Sequence, residues 1–198
     1  MNGSASASQA VRQGEAVAEA PRATAAAFLY GLLVVQIVVG LEFFMTVLTK
    51  LVRGGFVSGL GADLQDRVQA APAWYRSFAE NVVIPHATLF GYLIIVGELF
   101  VGVTLITTAV VWFARWPRLS AAARSALVMA VILAALAGLA MTLNYHIANG
   151  ATNLWQLGES PFDEAVDINT VMTLVEGTIV VVMCGILVSL RRGGRPSE

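Results

Sequence analysis

The chain has 198 residues, 57% of them hydrophobic and 13% charged, with a mean hydropathy of +0.73. Soluble domains carry about 25% charged residues, so the chain reads as an integral membrane protein. Its net charge of −1 offers no basic field to a nucleic acid. Its single cysteine, Cys184, rules out an intramolecular disulfide, a CxxC redox pair and a cysteine zinc site, and no metal is expected.

Residues 1–24 are rich in Ala, Ser, Gln and Glu without an apolar run. They are expected to form a disordered cytoplasmic tail, not a signal peptide. Residues 25–190 are expected to form one membrane domain, an all-α bundle of four transmembrane helices. Span one runs from about Ala25 to Leu48, holds Gln36 and Glu42, and ends at Lys50 and Arg53 before the turn Gly54-Gly55. The connection up to Ile84 is too long to be a plain loop. Leu64 and Val68 are four apart, and after Pro72 so are Trp74, Phe78 and Val82. That spacing predicts two short helices at the membrane surface, with Trp74 and Tyr75 at headgroup level.

Span two runs from about His86 to Phe113 and carries Gly97-Glu98 near its middle. An ionisable group at that depth costs about 2.5–3.5 kcal/mol on insertion scales, so Glu98 must face protein or trapped water. Ser120 can cap span three, about Ala121 to Tyr145, whose Ala content and Gly138 favour close packing. It closes on Asn144-Tyr145-His146, and Asn149-Gly150 signals a turn. In the acidic loop that follows, Ser160-Pro161 with Asp163 reads as a helix start. Span four is about Ile168 to Leu190; Cys184 packs there as a small apolar residue, and residues 191–198 form a basic cytoplasmic tail.

Lys and Arg set the orientation. Arg12, Arg22, Arg115, Arg118, Arg124, Arg191, Arg192 and Arg195 lie in the tails and the middle loop; only Lys50, Arg53, Arg67 and Arg76 lie in the other two. The positive-inside rule puts both termini in the cytoplasm. Every strongly polar membrane residue except Gln36 then falls in the outer half: Glu42, Glu98, Glu176, Asn144 and His146, with His86 at the start of span two. Gln36 is expected to hydrogen-bond between helices. Gly91, Glu98 and Gly102 share a face, as do Asn169, Thr173, Glu176 and Gly177, and Glu42, Thr46 and Lys50 follow at steps of four. Lys50 can fold its stem back toward the acids, with Arg53 the other candidate cation. The expected site therefore has Glu98, Glu42 and Lys50 as proton-handling groups and Glu98, Asn144, His146 and Glu176 as pocket lining. A bland alternative is a buried network that only pins the helices together. A haem held by His86 and His146 lacks any supporting spacing motif.

Gly40-Leu41-Glu42 through Lys50-Leu51, Gly97-Glu98-Leu99 with Gly102, and Asn144-Tyr145-His146 with Ala148-Asn149-Gly150 and Thr152-Asn153 resemble the DoxX family. They are also similar to the related DoxD-type membrane subunit of thiosulfate:quinone oxidoreductase. The segment Val83 to Tyr92, with Pro85 before Leu89-Phe90-Gly91-Tyr92, is similar to actinobacterial-type members. The resemblance covers about Tyr30 to Leu190 and implies a four-span bundle in a bacterial cytoplasmic membrane. It further implies association with a quinone- or thiol-linked redox complex. Its matching positions are Glu42, Lys50, Glu98 and Asn144; His146 and Glu176 rest on the physics alone.

Three functions compete on these residues. In the first, a quinone enters between helices and its headgroup is held near Glu98 and Lys50. Electrons then come from a protein partner, because the chain carries no dithiol, flavin fingerprint or iron–sulfur spacing. In the second, the bundle is a non-catalytic anchor or assembly partner. In the third, it is a small transporter or proton path, although no convincing internal repeat supports this.

Overall fold

The computed structural model describes residues 3–150 and 168–193. Every regular element among them is helical. Six α-helices follow in order: α1 Gly3–Arg53, α2 Phe56–Arg67, α3 Ala73–Phe78, α4 Ala87–Arg115, α5 Ala121–Ala148 and α6 Ile168–Gly193. Four stretches are long and apolar enough to cross a membrane: Ala27–Arg53, Ala73–Arg118, Ala121–Ala148 and Ile168–Arg192. In none is more than 39% of the most apolar window buried inside the protein. Most of their apolar surface therefore faces outward, as a multi-pass membrane protein requires.

The chain divides into two compact units, residues 1–35 and residues 36–198. The first is the N-terminal part of α1. Its backbone is helical from Gly3, where low hydrophobicity predicts disorder. Ala, Gln, Glu and Arg are strong helix formers, and that propensity is independent of hydrophobicity. The helix start expected at Ser160–Asp163 and the Thr152-Asn153 pair lie outside the described residues.

The second unit holds the rest of α1 and all of α2–α6. On α1 the buried stripe is Val39, Phe43 and Val47, spaced by four. Gln36 bonds across to α4, donating from Nε2 to the Leu105 carbonyl at 2.8 Å and to Thr108 Oγ1 at 2.9 Å, as expected. α1 and α4 cross where Gly40 meets Gly102. A Cβ on Gly102 would lie 2.9 Å from the Phe44 nitrogen and 3.0 Å from the Gly40 carbonyl oxygen. α5 and α6 pack closely; Ala134, Ala135 and Gly138 on α5 and Ile179 and Met183 on α6 are buried, and Gly138 rests against Glu176. Ser120 caps α5, accepting from the Ala123 N–H at 3.2 Å. Cys184, expected to be packed, is instead exposed on α6.

The two short helices of the first connection are present as α2 and α3, but α3 is not separate from the second span. It runs on through a π-turn at Ala79–Val83 and a 3₁₀ turn at Ile84–His86 into α4. Pro85 has no N–H to give the regular ladder, so the helix widens before it and tightens after it. Val68, Ala71, Tyr75 and Ala79 pack on Ala148, which fastens α2 and α3 to the end of α5. Arg76 secures their turn by donating to the Val68, Gln69 and Ala71 carbonyls. At Gly150, φ is +81° and Ala70 is so near that a Cβ would lie 2.7 Å from its carbonyl oxygen. The turn signalled by Asn149-Gly150 thus has a second duty: it receives the α2–α3 connection.

The Gly40–Gly102 crossing gives a direct test. Gly102→Ala should cost about 1–3 kcal/mol, because the clash is with backbone. Gly185→Ala, with nothing within 4 Å of its Cβ, should not destabilise. Denaturant titration of the two variants in detergent checks the contrast.

Candidate functional site

Glu98 lies about 17 Å into α4 at 1.5 Å per residue and is 1% exposed. Burial at that depth demands compensation, and two groups supply it through three hydrogen bonds. Lys50, in the last turn of α1, donates from Nζ to Oε1 at 2.5 Å and to Oε2 at 2.6 Å. Tyr145, near the end of α5, donates its hydroxyl to Oε1 at 2.8 Å. One carboxylate thus ties α1, α4 and α5 together. Lys50 also sits 4.6 Å over the Phe56 ring and 5.9 Å from that of Tyr145, so aromatic faces take part of its remaining charge. The expectation that Lys50 folds back toward an acid is met by Glu98. Arg53 remains exposed.

Lys50 and Tyr145, the two partners of Glu98, line a cavity of about 630 Å³ beneath α2 and α3. Its apolar lining includes Phe56, Phe78, Phe90, Ile94 and Met141; its polar lining includes Lys50, Tyr75, Asn144, Tyr145 and Asn149. Asp63 and Arg67 stand at its rim, with Arg67 Nε 2.7 Å from Asp63 Oδ2 and Arg67 Nη1 3.4 Å from Asn149 Oδ1. Tyr75 donates to Asn144 Oδ1 at 2.9 Å. With its oxygen so used, Asn144 keeps its amide N–H groups for the cavity.

His146 and Glu176, expected to line the same pocket, do not line it. His146 is 4% exposed, with Nδ1 3.1 Å from Thr170 Oγ1 on α6. Glu176 is fully buried and accepts from Thr142 Oγ1 at 2.8 Å, while Thr173 Oγ1 donates to Thr142 Oγ1 at 3.1 Å. The other oxygen, Oε1, rests against Gly138 and lacks a hydrogen-bond partner among the described residues. The reason is helical geometry. Gly138, Thr142 and His146 step by four toward α6, whereas Met141, Asn144 and Tyr145 face the cavity. The polar residues read as one convergent set form two clusters on different sides of α5.

Glu42 joins neither cluster. It is exposed on α1. Four residues at ~100° each overshoot a full turn by ~40°, so eight residues separate Glu42 from Lys50 by ~80°. His86 is exposed at the start of α4 while His146 is buried near the end of α5, facing α6, which removes the haem clamp. No group of three or more His, Cys, Asp or Glu gathers among the described residues.

Sequence reasoning missed Tyr145, Phe56 and the Asp63–Arg67 rim. Tyr145 carries a usable signal. A carboxylate has about four acceptor sites, so one lysine leaves capacity for another long donor at the same end of the bundle. Phe56 follows two glycines and carries no such cue.

Removing one partner of the ion pair should be worse than removing both. Lys50→Met is expected to destabilise by about 3–5 kcal/mol. Lys50→Met with Glu98→Leu should recover most of that loss in the same denaturant titration; equal instability would show that the two charges are not coupled. In comparisons with known proteins, no family model, no curated protein and no solved structure matches this chain.

Proposed function

We propose that the chain is a DoxX-like membrane subunit of a redox complex and that its cavity receives the headgroup of a lipid-soluble quinone. One observation carries this reading: Lys50 and Tyr145, both bonded to the buried Glu98, line a cavity otherwise rich in aromatic and aliphatic side chains. The volume falls within the ~300–1,000 Å³ usual for ligand pockets. Two donors on different helices, Lys50 Nζ and the Asn144 amide, suit the carbonyl oxygens of a flat ring, and Phe56 and Phe90 suit its faces.

A quinone supplies two-electron chemistry with uptake of two protons, its electrons arriving from a protein partner. The chain's own residues hold and move the protons. Lys50 spends two N–H groups on Glu98 and keeps a third at the cavity wall. That ammonium can neutralise negative charge developing on a ring oxygen and pass it a proton. Tyr145 shares its proton with Glu98 and can follow as the second donor. Glu98 keeps both groups in place and balances their charge. By the positive-inside pattern, the cavity opens toward the outer face of a bacterial cytoplasmic membrane.

A second reading draws on α3. Trp74, Phe78 and Val82, spaced by four, are all exposed. Such a stripe suits a non-catalytic anchor that docks a partner protein at this end.

Solvent extraction of the protein purified from its native membrane tests both readings. Quinone at about one per chain, lost in Glu98→Gln while the protein still inserts, is the expected result. Wild-type protein without quinone would defeat the redox reading and leave the docking one.

A further inference from the structure

Two further hollows share Lys50 and Phe56 with the lining of the cavity. One is a cleft of about 400 Å³ whose lining includes Thr49, Arg53, Asp63 and Arg67. The other is a groove of about 470 Å³ between the end of α1, the start of α2 and α4. Its walls include Leu51, Val57, Tyr92 and Ile95, with the hydroxyl of Thr88. Leu51 is 58% and Tyr92 59% exposed, so the groove opens on the outward surface of two membrane-spanning helices.

Local backbone geometry builds this arrangement. Gly54 and Gly55 have φ of +66° and +75°, which turns the chain back on itself within two residues. Phe56 thereby returns to stand beside Lys50, its ring on the ammonium. Across the groove, Gly91 lets the first turn of α2 rest on α4; a Cβ there would lie 3.2 Å from the Val57 Cα. The Phe56 ring is thus common to the wall of the cavity and the wall of the groove.

The end of the cavity beneath α2 and α3 is closed differently. Arg67 joins α2 to Asn149, and Tyr75 joins α3 to Asn144. Opening there breaks polar bonds and the packing on Ala148. At Phe56 the cavity and the groove are divided by one ring, held by its contact with the Lys50 ammonium.

We infer that the groove holds the apolar tail of an amphiphile whose polar aromatic head lies in the cavity, with Phe56 as the pivot between them. This rests on the quinone reading of the cavity and adds where the tail runs and from which side the molecule arrives. The head meets Lys50 and Asn144; the tail leaves past Phe56 between Leu51 and Tyr92 into lipid. On the other side of Lys50 lies the cleft that carries Arg53, Asp63 and Arg67.

The test uses the full chain in phospholipid nanodiscs and two probes. One is a benzoquinone bearing a ten-carbon tail with a terminal diazirine; the other is the same benzoquinone without a tail. Photolysis of the tailed probe should label Leu51, Tyr92 or Ile95, and excess tailless compound should suppress the label. Ile95→Trp, which fills the groove, should weaken the tailed probe about tenfold, since each buried methylene contributes to affinity. The tailless compound should bind that variant as it binds the wild type, which also reports an intact cavity. Saturable binding of both probes with label elsewhere would overturn the groove and spare the cavity. Groove label that the tailless compound does not suppress would show an ordinary acyl chain there and overturn the link to the head. Absence of saturable binding by either probe would overturn the quinone reading and the inference with it.

Discussion

A carboxylate in the middle of a membrane-crossing helix can persist only if its charge is answered, and the ion pair of Glu98 with Lys50 is the answer this fold is arranged around. The pair sets the distance between helices. For the lysine of α1 to reach the glutamate of α4, their backbones must be close, and the crossing at Gly40 and Gly102 brings them there. The pair also leaves an acceptor site open, which brings in Tyr145 and fixes the register of α5. Because Lys50 stands in the final turn of α1, the network lies next to the connection that follows. The cavity under α2 and α3 inherits a charged wall from that position.

α5 separates this network from a second one. Its cavity face presents Met141, Asn144 and Tyr145; the face toward α6 presents Gly138, Thr142 and His146. Lys50 meets the acid in the first cluster, whereas hydroxyls meet the acid in the second. The chemistry proposed for the chain belongs to the first. The second consists of short-range bonds between two helices packed along much of their length, which suits a structural role for Glu176.

Much of the fold was legible because its causes are local or periodic. Apolar run length placed the four spans, Ser120 marked the start of α5, and the i, i+4 spacing around Pro72 located α2 and α3. That a cation at the end of α1 answers the buried acids was legible from charge, with Lys50 and Arg53 the candidates; the pairing of Lys50 with Glu98 comes from the structure. What was not legible depends on angles that sequence spacing gives only approximately. Steps of four put Glu42 and Lys50 on one face in the sequence, and the accumulated rotation moves them apart. Depth alone grouped His146 and Glu176 with Glu98, but depth says nothing of which side of α5 a residue occupies. The tail before the first span reads as disordered on hydrophobicity and as helical on propensity, and propensity prevails in the backbone. Phe56 acquires its place from two positive-φ glycines, and no periodic pattern encodes such a reversal.

The positions of the two charges in the chain bear on how the protein enters the bilayer. Lys50 precedes Glu98 by one connection, so the cation is already made when the acidic helix emerges from the ribosome. Glu98 alone would carry a transfer penalty of about 2.5–3.5 kcal/mol. Beside α1 it can enter as half of a neutral hairpin, its charge met before it loses contact with water. The geometry at Gly40 and Gly102, which holds the two backbones together in the finished protein, is also what lets that hairpin form first. The first two spans thereby carry both halves of the ion pair, and Tyr145 adds its bond from the third.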